Sequence, residues 1–193
     1  MKHLKSFSLT IATLLAIIFF AYSIIEYKKN VTESEGIFTC AEGRCFWTAH
    51  IHTLVRLNLC GKEILLPKLV GPLSGIHTHT EENILHWHDK LPADPKTHEL
   101  LHTTPLTIDF GLKTVSIDMT SESLMEEKTG DLCPDGRPGT LKFFVNGNPL
   151  PPDPNYVWQD QDIIDIIFDG RTPEETLEYV KTLPKEFPAI TGF

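Results

Sequence analysis

The sequence predicts an α+β domain, with a mostly antiparallel sheet of short strands and few helices, preceded by one N-terminal transmembrane helix. Three observations lead to this prediction. Apolar and polar residues alternate over residues 47–59 with the period of two that is typical of a β-strand. Glycine-containing turn sequences separate several other short apolar segments. An uncharged segment of bilayer-spanning length, residues 6–25, precedes all of them.

The N-terminal segment predicts a membrane anchor at residues 1–27, followed by a polar tether at 28–35. A single span ahead of one long acidic domain predicts a single-pass membrane protein whose folded domain is extracytoplasmic. A cleaved signal peptide is the alternative, because Lys2 and Lys5 precede the apolar segment and Ala21-Tyr22-Ser23 fits a cleavage site.

The composition bounds the remaining possibilities. The chain has 193 residues, of which 41% are hydrophobic and 22% charged, so one domain can build an apolar core. The formal net charge is −9 and the lysines and arginines form no stripe, which argues against nucleic acid as a partner.

The four cysteines predict structural disulfides if the domain is outside the cytoplasm. Cys40 and Cys45 bracket a short loop and are placed to close a small ring, and Cys60 lies beside a predicted turn. Cys133 completes the set. A thiolate metal site is the alternative, although the spacing of the first two cysteines is a weak zinc signal.

The first long strand and the hairpin after it carry most of the histidines. On the strand at 47–59, His50 and His52 fall on the polar face, opposite an apolar stripe, and a turn at Gly61 leads into a second strand at 63–70. Residues 76–89 predict a hairpin that turns at Glu82-Asn83. That register places His79 opposite His86 and His77 opposite His88, so all four histidines share one face.

The later elements divide the domain into two predicted parts. Residues 36–140 form a His-rich β domain, and residues 141–193 form a C-terminal part that ends in a helix, where Thr172 and Glu175 fit a capping box. The pattern further predicts a short helix at 94–103, strands at 106–119, a helical turn at 121–128, a loop at 131–139, and strands at 141–145, 156–158 and 163–168.

Three His-x-His pairs are the most specific chemical signal in the sequence, since residues i and i+2 of a strand share a face. The predicted metal ligands are the four hairpin histidines, His77, His79, His86 and His88. If the first strand adjoins the hairpin, six imidazoles converge, and His50 and His52 complete a second ion or a larger site. Neutral imidazole suits copper, zinc, iron and nickel. Six nitrogens exceed the four ligands of a structural zinc site, which favours copper or two ions, with Glu81, Glu82 and Asp89 as outer acceptors. Histidines without a ligand, or a cluster that senses pH, are the alternatives.

A rival motif is the HExxH sequence at residues 98–102. On a helix, His98 and His102 would share a face and bind zinc, with Glu99 as the base of a metalloprotease. Lys96 before the motif and Pro105 after it leave little room for such a helix. A short solvated helix is therefore the competing interpretation.

Several resemblances to known families cover short segments. Gly71 followed by His77 and His79 resembles the start of the first cupin motif, and the His-x-His pairs are similar to the first copper ligands of Cu/Zn superoxide dismutases. Residues 86–89 fall short of the HxHxDH pattern of metallo-β-lactamases. The stretch from 141 to 168 resembles the last strands of β-grasp, ubiquitin-like domains, which implies a fold but no activity. The layout also resembles membrane-anchored, His-rich prokaryotic proteins.

Together these features predict an extracytoplasmic, membrane-anchored protein that binds a transition metal, copper with zinc as the alternative. The predicted role is metal capture, storage or delivery to a protein partner. The alternatives are a metalloenzyme, whether copper oxidase-like or a zinc hydrolase that includes an HExxH protease, and a structural or interaction module.

Overall fold

The computed structural model describes residues 18–23, 36–72 and 74–190. Residues 18–23 are helical. Within the described ranges, no helix combines the length and the apolar character that crossing a membrane requires. Apart from residues 18–23, the predicted anchor at 1–27 and tether at 28–35 lie outside the described residues.

The described part is an α+β fold with a mostly antiparallel sheet, which confirms the predicted fold class of the domain. Besides residues 18–23, its helices are a 3-10 turn at Thr104–Leu106, α1 at Ile108–Thr114 and α2 at Pro173–Thr182. The strands are β1 Phe38–Ala41, β2 Arg44–Leu59, β3 Lys62–Ile64, β4 Gly75–Thr78, β5 Ile84–Ala93, β6 Ser123–Leu124, β7 Glu127–Lys128, β8 Thr140–Val145, β9 Asn148–Leu150 and β10 Asp162–Asp169.

Eight of these strands form one sheet in the order β4-β5-β2-β10-β8-β9, with β1 and β3 paired to the two ends of β2. The pair β2–β10 is parallel, and the other pairs are antiparallel. Strand β10 lies between β2 and β8, so residues on both sides of position 140 share this sheet. The division into parts at 36–140 and 141–193 stays a prediction.

Strand β2 is the longest strand of the sheet, and its apolar and polar side chains alternate between the two faces as the sequence predicts. Val55 and Leu57 are fully buried in the main core, where Phe143, Ile164 and Ile166 join them from β8 and β10. The opposite face of β2 carries His50 and His52, as the sequence predicts. The main core therefore lies on one face of the sheet and the histidines on the other.

Helix α1 packs on the core face, directly behind the histidine hairpin. Gly111 permits this close approach, because a Cβ atom there would lie 2.8 Å from Leu85 Cδ1 and 3.1 Å from Ile76 Cδ1. Leu85, Ile76 and Trp87 point into the same core cluster. The apolar side chains of the hairpin thus fix it against the core and leave its polar face turned away.

Five predicted elements differ from the structure. The strand at 63–70 is reduced to Lys62–Ile64, and the strand at 156–158 is reduced to a bridge between Val157 and Thr107. Local hydrogen bonds explain the other three. Residues 94–103 form turns in place of a helix, because the Asp94 carboxylate accepts the amides of Lys96 and Thr97. Residues 108–114 are helical rather than extended, since the Thr107 hydroxyl caps α1. Residues 121–128 form the β6–β7 hairpin, with Thr120 accepting the first amides of its turn.

The predicted helix cap at Thr172 and the predicted disulfides are confirmed. The capping box opens α2, with Thr172 and Glu175 bonding each other's backbone amides. Both cysteine pairs form disulfides, Cys40 with Cys45 and Cys60 with Cys133. The second disulfide links the end of β2 to the loop before β8, and all four cysteines are thereby unavailable as thiolate ligands.

Candidate metal centre

Strand order alone brings the three His-x-His pairs together, since β4, β5 and β2 are adjacent. His50 pairs with His88 and His52 with His86 across β2 and β5. His86 also pairs with His77 across β5 and β4. His86 is therefore the centre of the cluster, with a histidine opposite it on each neighbouring strand.

The register of the hairpin differs by two residues from the prediction. His77 lies opposite His86 rather than His88, and His79 opposes Ile84 through its backbone amide. Asn83, at φ 63°, ends the turn, and its carbonyl and side chain accept the amides of Val55 and Leu66. Because the offset is an even number of residues, every histidine keeps its predicted face.

The imidazole rings form one contiguous cluster. The ring centroid of His86 lies 4.2 Å from that of His52, 4.5 Å from His77 and 4.6 Å from His50. The rings of His79 and His88 lie at 5.5 Å and 5.8 Å from it. The structure thus brings all six predicted histidines together, with the other five rings packed around that of His86.

Within this cluster, His50, His52 and His86 are the set best placed to share one ion. One nitrogen from each lies within 4.8 Å of the other two. Since metal–imidazole bonds are about 2.0–2.1 Å long, small side-chain rotations would let the three converge on one ion. His86 is buried, whereas His50 and His52 are half-buried.

Two of these residues each have one ring nitrogen that lacks a hydrogen-bond partner among the described residues. The Nε2 atoms of His52 and His86 are buried and have no hydrogen bond to any part of the chain that the structure describes. Buried polar atoms are nearly always hydrogen-bonded, so each exception requires an explanation. A cation held between these nitrogens would supply the missing interaction.

Burial and the neighbouring imidazoles lower the pKa of three rings of the cluster, those of His52, His77 and His86. Desolvation, followed by the neighbouring His50 and other rings, lowers the pKa of His52 to about 4. Desolvation, followed by His52, His50, His77 and His79, lowers the pKa of His86 to about 2. Desolvation also lowers the pKa of His77. At neutral pH these three rings are uncharged, which is the form that binds a metal.

Two of the three predicted outer acceptors lie beside histidines. The carboxylate of Glu81 contacts His79 Nδ1 and accepts the Thr80 hydroxyl at 2.9 Å. Asp89, next to His88, accepts the Ser74 hydroxyl and the Lys90 amide, and these bonds lower its pKa. Glu82 instead pairs with Lys68 at the surface.

An open cleft of about 360 Å³ lies beside the cluster, lined by His50, His52, Asp160, Gln161, Phe187, Pro188 and Ile190. The Asp160 carboxylate accepts the backbone amide of His52 at 2.9 Å, and the Gln161 amide donates to the His52 carbonyl at 2.7 Å. The sequence prediction missed this wall, because the parallel pairing of β2 and β10 joins segments more than a hundred residues apart. The one available signal was the polar turn QDQD ahead of an apolar strand.

The HExxH sequence does not lie on a helix in this structure. Residues 98–102 are not helical, His98 has a φ of 62°, and both His98 and His102 are exposed. The His98 ring stacks on Phe38 with centroids 4.1 Å apart, and its carbonyl accepts Trp47 Nε1. Without a helix, the two imidazoles lack the shared face that zinc binding requires.

Comparison of the chain with protein-family models, with curated proteins and with solved structures finds no match.

Proposed function

We propose that this protein binds a transition metal ion, copper with zinc as the alternative, between His50, His52 and His86. The observation that carries the proposal is the pair of buried, unpartnered Nε2 atoms of His52 and His86 inside a layer of six imidazoles. His77 contacts His86 of this set, and His79 and His88 flank it and supply outer contacts or the ligands of a second ion.

The cost of burying unpartnered ring nitrogens favours an external ligand over a structural role for the cluster. A buried acceptor without a hydrogen bond costs about 1–3 kcal/mol, and the cluster contains at least two. A metal ion that binds only the folded state offsets this cost, by about 4 kcal/mol at a thousandfold excess over the dissociation constant. The folded apo protein is therefore less stable than the metal-loaded protein.

The donor set favours a late first-row metal. All the clustered donors are imidazole nitrogens, which suit copper and zinc, whereas calcium and magnesium require oxygen. Among divalent ions, copper binds a given nitrogen site most tightly. Zinc is the alternative, because three histidines with one remaining position also form a zinc site.

The proposed location is the extracytoplasmic face of a membrane, with the N-terminal segment as the anchor. Two disulfides support an oxidising compartment. The proposed role is metal capture, storage or delivery, in which the cleft beside His50 and His52 admits the ion or a partner protein that exchanges it.

A metalloenzyme is the second candidate, and the cleft is the observation that favours it. Three histidine ligands leave an open coordination position, and the cleft lies against two of the three. Catalysis would then occur at the histidine cluster and not at His98 and His102. Reaction of the copper-loaded protein with dioxygen would favour an oxidase-like enzyme, whereas rapid exchange of Cu(I) with a chelator would favour transfer.

Metal content and affinity test the proposal. The untagged full-length chain is purified without chelating resin, analysed for metals, and titrated with copper and zinc against a competing chelator. We expect about one tightly bound ion per chain, and loss of this ion in the double variant His52→Gln/His86→Gln.

The matched control is His98→Gln/His102→Gln, which also removes two histidines but leaves the cluster intact. This control should bind metal like the parent. Failure of the parent to bind copper or zinc, or equal binding by the cluster variant, would overturn the proposal.

A further inference from the structure

His77 connects the cluster to the backbone. Its ring is buried on β4, directly opposite His86 on β5. His77 Nδ1 lies 3.3 Å from the carbonyl oxygen of Gly75, and His77 Nε2 lies 3.0 Å from His86 Nδ1. A chain of two hydrogen bonds therefore runs from a backbone carbonyl through one imidazole to the next.

The chemistry of the three groups lets us assign the protons in this chain. A carbonyl oxygen only accepts, so the proton of His77 is on Nδ1. The Nε2 atom of a neutral His77 then carries a lone pair and can only accept. The proton between the two rings consequently belongs to His86 Nδ1, and the lone pair of His86 is on Nε2.

We infer that His77 is a positioning residue that holds His86 in its Nδ1-protonated tautomer and directs the Nε2 lone pair of His86 toward His50 and His52. This assignment rests on the proposed function of the cluster for its consequence, which is metal affinity. It separates His77 from the ligands, although its spacing in the sequence is the same as theirs. Such outer contacts orient ligating imidazoles and raise their basicity.

The backbone around His77 is held from its outer side. The Thr78 amide donates to the Val70 carbonyl, and the Val70 amide donates to the Thr78 hydroxyl, each at 2.9 Å. Gly71 approaches so closely that a Cβ atom there would lie 2.9 Å from the Cα of His77. The segment before β4 thus holds in place the strand that carries His77 and its hydrogen-bond chain.

Two variants of His77 and one spectroscopic readout test the inference. In His77→Leu the acceptor for His86 Nδ1–H is lost, and in His77→Gln the amide oxygen can replace it. Nitrogen-15 NMR of the metal-free full-length chain should show His86 protonated at Nδ1 in the parent and in His77→Gln. In His77→Leu both tautomers should be populated.

Copper affinity, measured by chelator competition, should follow the tautomer. We expect His77→Leu to bind about 10–100-fold more weakly than the parent, and His77→Gln to recover most of that loss. If His77 were itself a ligand, His77→Gln would bind as weakly as His77→Leu, and that result would overturn the inference.

The NMR readout keeps this inference distinct from the proposed function. His86 protonated at Nε2 in the metal-free parent would overturn the inferred role of His77, whatever the metal affinity is. An Nδ1-protonated His86 in a parent that binds no metal would support the inferred role of His77 and would overturn only the proposed function.

Discussion

Two buried polar groups lie on the same face of strand β2, and they differ in how completely the protein satisfies them. Arg56 donates two hydrogen bonds to Asp165, at 2.6 and 2.9 Å, and a third to the Pro184 carbonyl. Four residues earlier, His52 belongs to a cluster in which buried ring nitrogens have no partner within the described chain. The first group finds its hydrogen-bond partners within the chain, whereas the second leaves ring nitrogens that the proposed ion would bind.

This difference distinguishes a polar pair that stabilises the fold from a polar cluster that we propose binds an ion, although both lie on one face of β2. Burial raises the pKa of Asp165, and the Arg56 guanidinium opposes that rise while it holds the carboxylate. For His86, by contrast, repulsion from the neighbouring imidazoles adds to the desolvation. We therefore expect Arg56 to control stability without affecting metal binding, and His86 to do the reverse.

The largest expected effect on stability is that of Arg56→Met. Removal of one partner leaves the Asp165 carboxylate buried and unpaired, which should lower the free energy of unfolding by about 3–5 kcal/mol. Urea denaturation of the metal-free chain measures this loss. The double variant Arg56→Met/Asp165→Leu should regain most of it. If Arg56→Met were as stable as the parent, the hydrogen bonds between Arg56 and Asp165 would not stabilise the fold.

His86→Leu should have the complementary effect. It removes the central ligand, so copper affinity should fall at least about 100-fold, equivalent to about 2.8 kcal/mol. The metal-free chain should lose little stability, because an apolar side chain replaces an imidazole with an unpartnered nitrogen. Chelator competition and urea denaturation together test both halves. A large loss of metal-free stability would place His86 with Arg56 as a structural residue.

Acidification should destabilise the metal-free protein through the cluster. The pKa values of His52 and His86 in the folded state are about 4 and about 2, below the ordinary 6.5 of the unfolded chain. Between pH 6.5 and 4 the unfolded chain therefore binds more protons, and the free energy of unfolding falls as the pH falls. Above pH 6.5 this contribution is fully present.

Denaturation midpoints of the metal-free parent across that pH range measure the effect. The variant His52→Gln/His86→Gln should show a shallower decline, whereas His98→Gln/His102→Gln should follow the parent. Parallel curves for the parent and the cluster variant would mean that these rings titrate normally in the folded protein.

The smallest expected effect is that of His88→Gln. His88 is exposed at the edge of the cluster, and its ring is the farthest from His86 of the five around it. Copper affinity should fall by less than about tenfold, or 1.4 kcal/mol. A loss as large as that of His86→Leu would indicate that the ion binds on the His50–His88 side instead.

The sequence predicted the strand, the hairpin and the shared face of the histidines, because a period of two is a local property of the chain. It missed the register by two residues, since Asn83 bonds Val55 and Leu66, which belong to distant segments. The helix at 108–114 was missed because a cap at Thr107 overrides β-branched composition. The cleft wall at Asp160 depends on parallel pairing, which no local pattern encodes.

Anomalous diffraction from crystals of the copper-loaded or zinc-loaded protein is the most direct test of the central claim, that an ion binds between His50, His52 and His86. The account predicts an anomalous peak about 2 Å from one nitrogen of each of these residues, with His77 bonded to His86 and not to the ion. A peak at His98 and His102, or no peak at the cluster in metal-loaded crystals, would contradict it.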